Sequence, residues 1–174
     1  MDRLKLWLLE NSSATDASLL EELRSIQTFA ALRPADRIII YLGAIFTEDV
    51  ITAGQIETYK GMLAALAPTT IQQRHLISAF EWFCGRRYPQ LMKFFPVVLK
   101  QLFDEELVEE DVFFEWAGDL TRNEYSAEMS MIDIDTLEHL KASASLFITW
   151  LQEAEEEGEE GDSEGEDDEE EEIA

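Results

Sequence analysis

The sequence predicts an all-α fold of antiparallel helical pairs stacked side by side, followed by an acidic tail outside the folded body. Apolar residues recur at helical spacing along most of the chain, the connections between these stretches are short, and no segment offers a convincing strand with a partner. No fixed-period repeat is visible in the 174 residues. The helical pairs must therefore be read from their boundaries rather than from self-similarity.

Taken in order, Ser18 with Glu21 three residues later reads as a capping box, with Leu19, Leu20, Leu23, Ile26 and Ala30 at helical spacing after it. That helix is expected to end near Arg33, with Pro34 opening the next one, where its missing N–H is harmless. Ile38 to Phe46 is β-branched enough for a buried strand, but its helical neighbours and the absence of a second strand favour a buried helix. Ile51 to Leu66 reads as one helix ending before Pro68, and Thr69 or Thr70 can cap its successor. On that successor Ile71, Leu76, Ile77, Phe80, Trp82 and Phe83 cover most of the circumference, leaving a narrow polar sector of Arg74, Ser78 and Glu81. It is the expected central helix. Gly85 and Pro89 interrupt the chain, and Pro96 splits Leu91 to Phe103 by biasing Phe95 away from helical angles. Helices over Glu109 to Gly118 and Asp135 to Glu157 follow, and with the helical signals at the start of the chain the expected total is about nine.

Past Glu157 the composition turns to Glu, Asp, Gly and Ser, which cannot bury enough apolar surface to offset the entropy of ordering. The expected division is a folded domain over residues 1–157 and a disordered acidic tail over 158–174.

Charge narrows the function. The formal net charge is −25, and Glu153 to Ala174 hold 15 acidic side chains and no basic one. Residues 1–152 still carry 23 acids against 13 bases. Such a surface repels phosphate backbones, so direct nucleic-acid binding is not expected and a basic protein segment is the better partner. Cys84 is the only cysteine, which excludes an internal disulfide and multi-cysteine zinc sites. The apolar stretch Leu6 to Leu9 is too short for a signal-peptide core, and no apolar run approaches the ~20 residues of a membrane span. A soluble cytoplasmic protein without a membrane role is the expectation. His75 and His139 have no second histidine or cysteine at ligand spacing, and no phosphate loop, Gly-x-Ser-x-Gly elbow or His-Glu-x-x-His helix occurs. Neither enzyme activity nor a cofactor or metal is expected.

Two segments carry the strongest signal. Asp104 to Asp119 holds eight acids and no base, around the run Leu107-Val108-Glu109-Glu110-Asp111-Val112-Phe113-Phe114-Glu115-Trp116. The second run is Leu146-Phe147-Ile148-Thr149-Trp150-Leu151-Gln152-Glu153-Ala154-Glu155-Glu156-Glu157. Each sets a tryptophan beside carboxylates, a combination that attracts a lysine-rich partner by charge and offers its ammonium groups and stems an aromatic face. On the wheel Val112, Phe113, Trp116 and Leu120 cluster, so Trp116 is expected to pack inward while Phe114 and Glu115 point away. In the second run Leu137, Leu140, Ala144, Phe147, Ile148 and Leu151 form the stripe, with Trp150 about 110° from its centre and the better surface candidate. The candidate partner-binding residues are therefore Glu109, Glu110, Asp111, Phe114, Glu115, Trp116, Trp150, Glu153, Glu155, Glu156 and Glu157. A weaker candidate is a basic surface of Arg74, Arg86, Arg87, Lys93 and Lys100, for an acidic segment of another protein or for the chain's own tail.

These two runs resemble the paired aromatic and acidic boxes of the two-tryptophan domain family, found at the end of eukaryotic translation initiation factor five, of the catalytic epsilon subunit of initiation factor two B, and of regulators that mimic factor five. Ile45-Phe46-Thr47-Glu48 and Phe80-Glu81-Trp82-Phe83-Cys84 resemble the middle helices of the factor five domain, and the acidic end resembles factor five more than the epsilon subunit. The resemblance implies a HEAT-like stack of helical pairs that acts as an adaptor. Its implied partners are lysine-rich boxes in the beta subunit of initiation factor two, together with initiation factors three and one, in preinitiation complex assembly. The alternatives it leaves are the guanine-nucleotide-exchange domain of the epsilon subunit and a factor five mimic. Between the boxes this chain departs from the family's lysine-rich pattern, with only Arg122 and Lys141 as bases, and the first fifteen residues match nothing in it.

Overall fold

The computed structural model describes residues 1–119 and 131–161, with side chains up to Ala154 in the last helix. Among these residues there is no strand. The helices are α1 (Asp2–Glu10), α2 (Asp16–Phe29), α3 (Asp36–Ile45), α4 (Gln55–Thr58), α5 (Lys60–Leu66), α6 (Thr70–Trp82), α7 (Phe95–Asp104), α8 (Glu110–Gly118) and α9 (Ile134–Gly161). A π-helical turn (Phe83–Arg87) and a 3₁₀ segment (Pro89–Phe94) join α6 to α7.

Packing follows chain order. Helix α3 lies against α1, α2, α5 and α6; α6 reaches α7 and α8; α9 closes the stack against α7, α8 and the 3₁₀ segment. The β-branched stretch is indeed a buried helix, with Ile38, Ile39, Ile40, Tyr41 and Leu42 all in the core. Helical propensity loses little there because tertiary burial on several sides outweighs it.

Several boundaries differ from the expectation. Helix α2 starts at Asp16, three residues early, because Thr15 rather than Ser18 is the cap: its hydroxyl accepts from the Ser18 N–H while the Ser18 hydroxyl accepts from the Thr15 N–H. The helix stops at Phe29, where Ala31 takes φ 51° and the Leu32 and Ala31 N–H groups return to Gln27 and Thr28 carbonyls. This is a Schellman ending that lacks its usual glycine. Pro34 sits in a turn ahead of α3, and the Asp36 carboxylate accepts the Arg33 N–H at 2.8 Å. The single helix expected over Ile51 to Leu66 is two short ones, because Gly54 at φ +57° turns the chain before Gln55 and Tyr59 interrupts it again. Thr69 caps α6 as expected, accepting from the Gln72 N–H. Pro96 does mark a break, but Phe95 is helical and starts α7, so the proline acts as a second helical residue rather than as a stop.

Helix α6 is central as expected, and even its narrow polar sector lies inside: Arg74, Ser78 and Glu81 are buried, which corrects the placing of Arg74 on a basic surface, while Ile71, read as part of the packed circumference, is 59% exposed. Helix α9 continues to Gly161, four residues past the expected boundary at Glu157, and the expectation for the tail from Asp162 onward lies outside the described residues.

Candidate protein-interaction surface

The first acidic box begins where α7 ends. Glu105 caps that helix, Glu106 takes φ 56°, and the Leu107 and Glu106 N–H groups bond back to Leu102 and Phe103 carbonyls. This second Schellman turn drives Leu107 and Val108 into the core and leaves Asp104, Glu106 and Glu109 outside. The start of α8 is fixed from α6, since the Glu109 N–H donates to the buried Gln73 side chain at 2.9 Å and the Gln73 amide donates to the Glu109 carboxylate at 3.2 Å. Asp111 and Glu115 are exposed, while Glu110 and Phe114 are half-buried.

Trp116 lies on the opposite side of α8, 1% exposed. Its indole N–H donates to the Glu81 carboxylate at 2.6 Å, and its ring meets Phe95 edge-on. A partner cannot reach it in this arrangement, so the inward packing read from the wheel holds and its place among the contact residues does not. Around Glu81 converge Arg74, which pairs with Asp119 at 3.0 Å, and Lys141 of α9, whose ammonium donates to the Trp116 and Asp119 carbonyls. Burial pushes the Glu81 carboxyl above its usual range, against the opposing pull of the Trp116 bond, Arg74 and Lys141. Burial likewise pulls the Lys141 ammonium down. This buried charge network locks α6, α8 and α9 together. The wheel missed it because an amphipathic pattern cannot distinguish a solvated polar sector from one that meets complementary charges on neighbouring helices.

Trp150 is 40% exposed. Its ring meets Phe103 at 5.8 Å edge-on and stacks on Phe147 at 6.0 Å, so two aromatic neighbours fix its orientation. The Lys100 ammonium lies 4.7 Å from the ring centroid and 2.6 Å from the Asp104 carboxylate. Beside it runs an apolar groove of about 360 Å³ lined by Pro96, Val97, Lys100, Leu146, Phe147 and Trp150. Glu153 is exposed one turn beyond Trp150; the side chains of Glu155, Glu156 and Glu157 lie outside the described residues.

Phe103 is the residue that joins the two boxes. One side of its surroundings is the acidic concavity of Asp104, Glu106, Val108, Glu109 and Glu110, and the other is Trp150. Sequence reasoning passed over Phe103, although it directly precedes the acidic run. The groove residues Val97 and Leu146 were also missed; Leu146 stands 81% exposed inside an otherwise amphipathic helix.

The five bases do not form one basic surface. Arg74 is buried and paired, Arg86 donates to the Met131 carbonyl, and Arg87 donates to the Gly43 carbonyl with its guanidinium near Trp82 and Tyr88. Lys93 lies over Phe94, and Lys100 belongs to the Trp150 site. Proximity in sequence did not gather them, because they sit on four successive elements, α6, the π turn, the 3₁₀ segment and α7.

Among the described residues no group of three or more His, Cys, Asp and Glu side chains is arranged to hold a metal, and no helix is long and apolar enough to cross a membrane. What the fold and its surface define is an all-helical, HEAT-like module that presents an acidic and aromatic face. Residues 72–161 match the family described as W2: eIF4-gamma/eIF5/eIF2-epsilon, and the chain belongs to that family. It is 29% identical over 158 residues to eukaryotic translation initiation factor 5 of Zea mays, covering 86% of this chain and 31% of that protein. To the Pongo abelii factor it is 34% identical over 84 residues, 48% of this chain and 18% of that one. A solved structure, the C-terminal domain of translation initiation factor 5 at low pH, superposes with a TM-score of 0.69 at 27% identity, covering 93% of this chain and 96% of that one. The chain thus spans a third or less of the length of these curated relatives, and is similar over nearly its whole length to the C-terminal domain of a translation initiation factor 5.

Proposed function

We propose that this chain is a non-catalytic adaptor in preinitiation complex assembly that binds a lysine-rich segment across the surface joining its two boxes. The observation that carries the proposal is Phe103, whose ring borders both the acidic concavity at Asp104 to Glu110 and the exposed Trp150. One extended basic segment can therefore meet carboxylates and aromatic faces together, which neither box offers alone. Lysine-rich boxes of the initiation factor two beta subunit have this chemistry and are the proposed partner, in the cytoplasm; initiation factors three and one are proposed further contacts, as the resemblance of the two boxes implies.

Isothermal titration with a lysine-rich peptide tests this. Charge reversal of Glu106 and Glu153 should weaken binding by about tenfold or more at low salt and by less as salt rises, because exposed charges are screened over about 8 Å at physiological ionic strength. Trp150→Ala should weaken it with a flatter salt dependence, since apolar and cation–aromatic contact is lost. Binding unaffected by all three substitutions would overturn the assignment. Accelerated GDP release from initiation factor two by the chain alone would instead support the exchange-factor alternative.

A further inference from the structure

Lys100 already does to Trp150 what a partner lysine would have to do. Its ammonium is 4.7 Å from the ring centroid and bonded to both Asp104 oxygens, at 2.6 and 2.9 Å. Phe103 stands nearly perpendicular to the indole at 87° and Phe147 stacks at 28°, and Lys100 takes the place over the ring that a partner's cation would need. We propose that Lys100 is a built-in occupant of the lysine subsite at Trp150 and Asp104, and that a lysine-rich partner binds there by displacing it.

The interaction is suited to displacement. Lys100 and Asp104 are one helical turn apart on α7, and their side chains are 46% and 49% exposed. An exposed i,i+4 pair contributes little net stability, and an exposed cation–aromatic contact adds only modestly. Once displaced, the ammonium can return to water. A lysine of the partner then finds a carboxylate already positioned beside a ring already oriented, while its neighbouring apolar residues meet Val97 and Leu146 in the adjoining groove. Lys100 thus discriminates between ligands: a single cation gains nothing by replacing it, whereas a segment that also fills the groove or engages Glu153 does. In the unbound protein Lys100 occupies part of the ring face and of the carboxylate that a partner would use.

The inference rests on the proposed lysine-rich partner, and the experiment separates the two. The probe is the same lysine-rich peptide, titrated into the full chain and into Lys100→Gln, Trp150→Ala and the double variant, with Lys5→Gln on the exposed face of α1 as the control for loss of one positive charge. Lys100→Gln should bind the peptide about three- to tenfold more tightly than Lys5→Gln does, the gain expected when one exposed ion pair and one cation–aromatic contact no longer compete. In the Trp150→Ala background that gain should shrink to the part due to Asp104 alone, because the cation–aromatic competition is already gone. If Trp150→Ala weakens binding but Lys100→Gln matches Lys5→Gln or binds more weakly, Lys100 merely orients the ring and the displacement idea is wrong while the binding surface stands. If Trp150→Ala leaves affinity unchanged, the lysine subsite at Trp150 and the displacement idea fall, and charge reversal of Glu106 and Glu153 decides whether the acidic surface stands.

Discussion

At the residue scale, the two tryptophans separate structure from function. Trp116 is a core residue whose indole N–H satisfies a buried carboxylate, and Trp150 is a surface residue held by two aromatic neighbours. The helical wheel distinguished them because burial on α8 and α9 is set by local periodicity. It could not show Glu81, since the groups that make a carboxylate tolerable in the core arrive from elsewhere: Arg74 on its own helix, Trp116 on α8 and Lys141 on α9. A folded-state pKa raised by burial means that the native state holds more protons than the unfolded chain between the ordinary value of 4.5 and the raised one, so this group's contribution to stability falls as pH rises through that window. Glu81→Gln keeps an acceptor for Trp116 and removes the titration. The melting temperature of the natural chain minus that of Glu81→Gln should therefore shrink as pH increases from 4.5. A difference that stays flat or grows would show that the carboxylate is ionised at no cost in the folded protein.

At the element scale, most of the helices were legible and several of their ends were not. The buried α3, the Thr69 cap and the α9 stripe follow from patterns within one segment. The Thr15 cap competed with an equally good box three residues on, and the turns at Ala31 and Glu106 lack the glycine that marks a helix end in sequence. Glu106 is the more telling case. A non-glycine residue at φ 56° is strained by its Cβ, typically by about 1 kcal/mol. Its carboxylate projects into the acidic concavity beside Phe103, where glycine would contribute no charge. Glu106→Gly should consequently raise stability by about 0.5–1 kcal/mol in urea unfolding while lowering affinity for the lysine-rich peptide, a trade of stability against binding. Equal affinity of the two proteins would mean that the acid there has no part in recognition.

At the scale of the whole molecule, charge attracts and shape selects. The net charge of −25 draws any polycation, yet the acids we propose for recognition are those held by α7, α8 and the start of the second box around Phe103 and Trp150. Residues 162–174 carry nine acids, and their only apolar side chains are Ile173 and Ala174, so they add charge with little apolar surface to bury. Deleting them should change unfolding free energy by less than about 0.5 kcal/mol, with relief of self-repulsion favouring a slight gain. The same deletion should slow peptide association and flatten its salt dependence, because long-range steering depends on summed charge. Dissociation, which reports the short-range contacts with Trp150 and Glu153, should be nearly unchanged. Stopped-flow kinetics at several salt concentrations separates these effects. If deletion instead accelerates dissociation as strongly as Trp150→Ala does, the partner is held by an undirected polyanion, and the folded surface around Phe103 is not the recognition site.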